Sequence, residues 1–255
     1  MLSPICLFLV LCYSSIASGT SCLTQKQQLQ YVDEWGYVAK IIDGDTFRLK
    51  DGRSIRIIGI NTPEIGYRGQ PSQAFAKKAR RALSHLLDEN KRVGLTYDRD
   101  KKDRYGRTLA YVNVSDGRSV EEILLAKGLA RALVIPPNDA RIQCYHFIEQ
   151  RAQKQHLGIW QLPENQWLDA ALLDSSSKGY FYIQGVINHY GESHKSIYLT
   201  LTAKLSIRIA KKDRKYFPQL NLKTLVGQRV YVRGWVNIYN GQQSIHIRTR
   251  YDLSF

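Results

Sequence analysis

From Gly36 the chain alternates apolar and polar side chains with a period of two. The run GYVAKIIDGDTFRLKDGRSIRIIGI carries turn vocabulary at Asp43-Gly44 and at Asp51-Gly52. That pattern predicts a three-stranded antiparallel meander. Asn61-Thr62-Pro63 ends the third strand, because proline has no N–H to donate and restrains the residue before it. Over Gln70 to Leu87 the spacing becomes helical. Ala74, Phe75, Ala79, Ala82, Leu83 and Leu86 fall on one stripe, with Lys77, Lys78, Arg80 and Arg81 largely off it, and Pro71-Ser72 suits the helix start. Lys91 to Tyr97 and Thr108 to Val114 read as strands around a polar loop. Val120 to Lys127 and Ala140 to His156 read as helices stopped by Gly128 and Gly158. Five strands interleaved with three helices predict a mainly β fold with α, an OB-fold β-barrel.

Asp174 to Gly179 (DSSSKG) is a linker by composition. Beyond it the pattern is strand-rich: Phe181 to Asn188, Ser196 to Leu201, Leu205 to Ile209, Arg229 to Val236 and Ser244 to Arg250. Asn240-Gly241 is a hairpin signal. This predicts a second small β-barrel, OB-like, over residues 179–255, following a first domain over 35–173. Residues 20–34, polar and Gln-rich, are a linker or a short helix.

Composition adds three constraints. With 255 residues and 44% hydrophobic side chains the chain can bury real cores, which argues against disorder. The formal charge of +15 points to a polyanion, with nucleic acid the first candidate and an anionic membrane surface the second. Residues 175–255 hold 13 Lys and Arg against 3 Asp and Glu, so most of the excess lies in the second module. Its run Lys211-Lys212-Asp213-Arg214-Lys215 beside Tyr216-Phe217 is either a solvated face or a track for a nucleic-acid backbone.

Met1 to Gly19 carry no charge, and Ile5 to Tyr13 is an apolar run too short to span a bilayer. Small residues follow, so residues 1–19 read as a signal peptide, and the mature chain is expected in the periplasm or outside the cell, with no membrane contact after cleavage. Only Cys22 and Cys144 then remain. Their spacing fits no zinc motif, and in an oxidising compartment they could pair. The plainer reading is preferred at this point: Cys144 as a small buried hydrophobe on a helix and Cys22 in a loose tail, since spacing cannot show proximity. The six histidines show no metal spacing.

Three polar clusters carry the chemistry. They are Asp43-Gly44-Asp45-Thr46, the stretch from Arg56 to Glu64 ending Asn61-Thr62-Pro63-Glu64, and Asp103-Arg104-Tyr105-Gly106-Arg107. Together they offer hard oxygen donors, a spare carboxylate and two arginines, a set suited to attack on a phosphodiester beside a hard metal ion. Taken singly, Asp43 and Asp45 are ordinary turn residues and Glu64 an ordinary loop acid. Arg56 is unusual, because an arginine in an apolar strand needs a carboxylate or phosphate partner.

The order and spacing of these clusters, from about Trp35 to Trp160, resemble the staphylococcal nuclease (thermonuclease) family. The resemblance implies the OB-fold barrel and Ca²⁺ held by Asp45, the side chain of Asn61 and the Thr62 carbonyl, with Asp43 nearby. It further implies Glu64 as the residue that orients or deprotonates the attacking water, Arg56 and Arg107 on the phosphate, and Tyr105 and Arg104 against the substrate. DNA and RNA would be the substrates, cut with little sequence specificity to leave 3′-phosphates, by a monomer with no obligate protein partner. Two positions depart from the family pattern: Asn61 where an aspartate is usual, and Val134 where a further tyrosine is usual. The alternative is a catalytically weak or inactive nucleic-acid-binding module on the same fold. Asn61 favours it, and the survival of Asp45, Glu64, Arg56 and Arg107 opposes it.

Overall fold

A computed structural model describes residues 22–255. The proposed leader lies outside the described residues. Among the described residues no helix is long and apolar enough to cross a membrane.

The predicted meander forms as β1 (Glu34–Ile41), β2 (Thr46–Leu49) and β3 (Ser54–Ile57), paired antiparallel in that order. Gly59 breaks the third strand, so Gly59–Asn61 becomes a separate strand β4. The helix α2 covers Ala76–Leu86. It starts later than the Pro71-Ser72 signal suggests, because Gln70 to Phe75 are spent on a loop tied back by the bond from Gln73 N to Glu64 O (3.0 Å). β5 (Arg92–Thr96) and β6 (Thr108–Val114) follow as predicted. β6 pairs in parallel with β3, β5 pairs with both β6 and β1, and the barrel closes in the order β1-β2-β3-β6-β5. The alternating apolar positions fill it: Phe47, Ile55, Ile57, Leu95 and Val112 are fully buried. α3 (Val120–Ala126), β7 (Arg131–Leu133) and α4 (Ile142–Lys154) complete this part, with β7 antiparallel to β4.

The polar segment ahead of β1 is partly helical. α1 (Gln25–Gln30) is capped by Thr24, so of the linker or short helix expected over this segment the structure forms the short helix. Cys22 and Cys144 are joined in a disulfide, which overturns the reading of Cys22 as a loose end. Cys22 N and Gln28 Nε2 donate to Glu122 on α3, and Arg141 at the start of α4 donates to Gln28; these bonds bring together two cysteines 122 positions apart, a proximity no local pattern could reveal.

β8 (Trp167–Asp169) adds in parallel to β9 (Gly179–Val186) ahead of the second module. β10 (His189–Glu192), β11 (Ser196–Thr200), β12 (Leu205–Ala210), β13 (Arg229–Tyr239) and β14 (Gln242–Ile247) follow, and β15 (Leu253–Ser254) pairs with β13. The pairing order is β10-β11-β12-β14-β13-β9. Only Ile187 and Asn188 separate β9 from β10. There the ladder passes from Gln228 (Ile187 N to Gln228 O, 3.0 Å) to Thr200 (Asn188 N to Thr200 O, 2.8 Å). β9 and β10 are thus two halves of one bent strand, and the circuit returns on itself. The parallel contact between β12 and β14 matches that between β3 and β6 in the first barrel. Ile207, Leu199, Val230, Val232, Ile245 and Phe217 fill the inside.

The two barrels share a buried contact. Arg233 on β13 donates to Glu149 on α4, and both side chains are almost fully buried. Glu149 also accepts from Ala132 N at 2.8 Å, which ties β7 to the same point. Burial alone would raise the Glu149 carboxyl, but the Arg233 guanidinium holds it below its usual range. Trp160 meets Tyr182 edge-on at 5.5 Å, and Tyr182 meets Trp167 at 5.4 Å.

Candidate active site

The first cluster sits on the turn between β1 and β2, not on a regular strand. Asp43 Oδ1 accepts from Asp45 N at 3.0 Å, the side-chain turn that short acids make. Gly44 is required by space: a Cβ there would stand 2.8 Å from Ala79 Cβ on α2 and 2.8 Å from Thr62 Cγ2. The turn is therefore clamped between α2 and the end of β4. Gly44→Ala is expected to cost about 1–3 kcal/mol through overpacking, and to lower turnover by shifting both aspartates. A denaturant melt with a rate measurement checks this, and an unchanged melt would mean the turn has slack.

Asp45 is almost fully buried and both its oxygens are used. Oδ2 accepts from Thr62 N at 2.7 Å and lies 3.2 Å from the Arg56 guanidinium; Oδ1 accepts from Thr46 Oγ1 at 3.0 Å. Arg56, on β3, also donates to Asn61 Oδ1 at 3.0 Å and to the Ile60 carbonyl at 2.9 Å. The partner its strand position demands is thus Asp45, together with the end of β4. Thr62 Oγ1 is buried with no hydrogen-bond partner beside this turn.

Glu64 keeps solvent contact, and its backbone is pinned by Glu64 N donating to Gln73 Oε1 at 2.9 Å. Loss of hydration around its carboxyl, then the charge of Asp45, raise it above the ordinary glutamate range, while Arg56 and Arg107 pull it back. Asp43 is pushed up to about 6, by burial first and by Asp45 second. Three acids thus crowd one point, which a cation would relieve.

The third cluster forms a turn. Asp103 Oδ1 accepts from Tyr105 N (2.9 Å) and Arg107 N (3.0 Å), and Oδ2 accepts from Arg107 Nε (2.7 Å). Gly106 takes φ +79, which lets the chain turn and bring Arg107 back to Asp103. Burial would raise Asp103, but these bonds from Arg107 and Tyr105 hold it below its usual range. Asp103 thus orients Arg107, a role the sequence reading left unassigned although its i, i+4 spacing was visible. Tyr105 is 68% exposed and lies between two cations: Arg104 is 4.8 Å and Arg107 5.6 Å from its ring centre.

Arg56, Asn61, Glu64, Tyr105 and Arg107 line one cleft of about 650 Å³, with Val134 among its walls. The far wall comes from the second barrel, through Tyr180, Trp235, His246 and Arg248. A larger hollow of about 1,430 Å³ lies elsewhere on the interface, around Cys144, His146 and Tyr251, and holds no residue of the three clusters.

The donors here are all oxygen. Among the described residues no three His, Cys, Asp or Glu side chains form a metal cage. Carboxylates would therefore supply only part of a metal shell, and Asn61 Oδ1, the Thr62 carbonyl, water or a phosphate would supply the rest. Calcium accepts such mixed, hydrated oxygen shells. The crowding of Asp43 and Glu64 around Asp45 is what such an ion would neutralise, so the residues present fit it.

Residues 54–162 match the family model described as staphylococcal nuclease homologue. The chain is similar to the thermonuclease of Staphylococcus intermedius, at 44% identity over 128 residues, which is 49% of this chain and 74% of that protein. It is 40% identical to the thermonuclease of Staphylococcus hyicus over 48% of this chain and 73% of that one. Endonuclease YncB of Bacillus subtilis is 38% identical over 48% of this chain and 59% of its own length.

Proposed function

The chain belongs to the staphylococcal nuclease family, and we propose that it is an exported, Ca²⁺-dependent, monomeric phosphodiesterase that cuts DNA and RNA with little regard to sequence. That it is a hydrolytic nuclease is the premise; the metal, the two substrates and export are the proposal. The observation that carries it is one cleft lined by Asn61, Glu64, Arg56 and Arg107, with buried Asp45 held against Arg56 at 3.2 Å behind it.

Asp45, Asn61 Oδ1 and the Thr62 carbonyl would hold Ca²⁺, with Asp43 beside them. A bound calcium would supply positive charge against the phosphate oxygens. Glu64 takes a proton from the attacking water as the new oxygen–phosphorus bond forms. Arg56 and Arg107 hold the non-bridging oxygens and offset the charge that builds on them. The bond to the 5′ oxygen breaks, that oxygen takes a proton from solvent, and the phosphate stays on the 3′ side. Arg107 is fixed for this by Asp103, and Arg56 by Asp45 and Asn61. Purified protein should therefore digest both single-stranded DNA and RNA to fragments whose 3′ ends need a phosphatase before they can be extended. Fragments with free 3′ hydroxyls would overturn this order of bond breaking.

Export is supported by the uncharged apolar leader and by the Cys22–Cys144 disulfide, a bond suited to oxidising compartments. Thiol labelling of denatured, unreduced protein from culture medium or periplasm tests both. Free thiols, or a purely cytosolic product, would count against it.

Asn61→Asp places a second full anion beside Asp45. Without metal the two carboxylates repel; with Ca²⁺ the added charge strengthens coordination. Half-maximal activity is expected at about tenfold lower Ca²⁺, equivalent to ~1.4 kcal/mol. The variant should also gain more melting temperature on calcium addition. An unchanged calcium requirement would leave Asn61 as a partner of Arg56 alone.

A further inference from the structure

We propose that the outer face of the second barrel is a single-strand track. It would lead the nucleic-acid chain away from the reaction cleft across β13, β14, β12 and β11. The idea rests on the nuclease reading only for the identity of the polymer. Strand register places five side chains in one cross-strand row: Tyr180 opposite Trp235, Trp235 opposite His246, His246 opposite Arg208, and Arg208 opposite Tyr198. The next residues inward, Val236, Ile245, Ile207 and Leu199, are buried, so the row lies on the outside. Trp235 is 59% exposed, and its inner edge is braced by Tyr180 at 5.7 Å. Tyr180 in turn carries the Arg131 guanidinium at 4.7 Å.

A lone exposed tryptophan on a sheet needs no ligand, and cross-strand aromatic pairs stabilise a sheet on their own. Three further observations point to a polymer. The row starts inside the cleft, since Trp235 and His246 line it together with Glu64 and Arg107. It sets four flat rings in line with one guanidinium, the combination that stacks bases and meets phosphates. It is flanked by Asn237, Ser244, Ser206 and Thr200, short uncharged residues, within a module holding 13 basic against 3 acidic side chains.

Of those three acids, Asp213 is buried, with Oδ2 at 3.5 Å from Arg248 Nε and 3.9 Å from His246 Nε2, so it steadies the row from beneath. The basic run singled out in the sequence contributes less. Lys211 to Tyr216 form a tight 3₁₀ turn whose Lys211 is paired with Glu192 at 2.8 Å. The four strands span about 14 Å at the usual strand spacing. An oligomer can cover that distance from the cleft, whereas a dinucleotide with its one phosphodiester seated at Glu64 is too short to reach across all four strands.

The test uses the full chain in EGTA with a fluorescein-labelled thymidine oligomer of about sixteen nucleotides, the upper site size for one such barrel, checked intact on a gel. Trp235→Ala should weaken binding about tenfold, and Trp235→Phe should restore most of it, because stacking needs a ring. Arg208→Gln should weaken binding and flatten the slope of log affinity against log salt by about 0.7, one single-strand phosphate contact. The same Arg208 variant should cleave a dinucleotide at the parental rate but show a raised KM on long strands.

Unchanged oligomer affinity in both variants overturns the track. So does a loss in Trp235→Ala that coincides with dissociation of a dimer in sedimentation, which would make the face a contact between copies of the chain. A protein that binds the oligomer through this row yet cleaves nothing would support the track and overturn the nuclease reading instead.

Discussion

Glu64→Gln is expected to lose about a hundred- to ten-thousandfold in turnover while keeping its melting temperature. Glutamine has the same shape but cannot take a proton from water. The substitution leaves the loop intact, because Glu64 is pinned through its backbone: its N–H donates to Gln73 Oε1 and its carbonyl accepts from Gln73 N. It also removes one of three acids that crowd each other, since Asp45 raises the Glu64 carboxyl and Glu64 in turn raises Asp43. The folded state should therefore be no weaker than the parent. Turnover on single-stranded DNA, with a thermal melt of the same sample, separates the two effects. Parental turnover in the Gln variant would remove Glu64 from proton transfer.

Arg107→Lys is expected to lose about a hundred- to a thousandfold, the range for deleting one preorganised donor to a developing oxyanion. Charge is conserved, so the loss reports geometry. Arginine is locked by its Nε bond to Asp103 Oδ2 at 2.7 Å, which leaves its outer nitrogens aimed as a planar fork. Lysine has no equivalent of that second bond and presents one rotating ammonium. Asp103→Asn should produce a smaller loss of the same kind, through kcat more than KM. The double variant should lose little beyond Arg107→Lys, as groups acting as a unit are not additive. A Lys variant as active as the parent would show that charge alone suffices there.

Much of the first barrel was legible because its strands face one way. The alternation through Val38, Phe47, Ile55 and Ile57 marks a buried face, and the structure buries all four. Asp43, Asp45, Asn61 and Glu64 were legible as a vocabulary, since short acids around Gly and Pro mark turns whatever their use. The clamp on Gly44 was not, because it depends on α2 and Thr62 arriving from elsewhere. The start of α2 was misplaced for a similar reason: Phe75, counted on its apolar stripe, takes φ +66 and ends a loop. The disulfide joins a residue ahead of α1 to the first turn of α4, and no local spacing encodes that. Least legible was the far wall of the cleft. It depends on the buried pair of Glu149 with Arg233. The clue was present: Arg233 interrupts the apolar run VYVRGWV, just as Arg56 interrupts SIRIIGI.

One titration decides whether the oxygen cluster is a calcium centre that drives hydrolysis. Initial rates of nucleotide release from single-stranded DNA are measured against free Ca²⁺, then in excess EGTA, then after Ca²⁺ is restored. Melting temperature is followed over the same series for the parent and for Asp45→Ala. The expected result is a saturable rise in rate, collapse in EGTA, recovery on restoration, and a calcium-induced rise in melting temperature in the parent that Asp45→Ala lacks. Full activity with calcium chelated, or an equal thermal shift in Asp45→Ala, would contradict it.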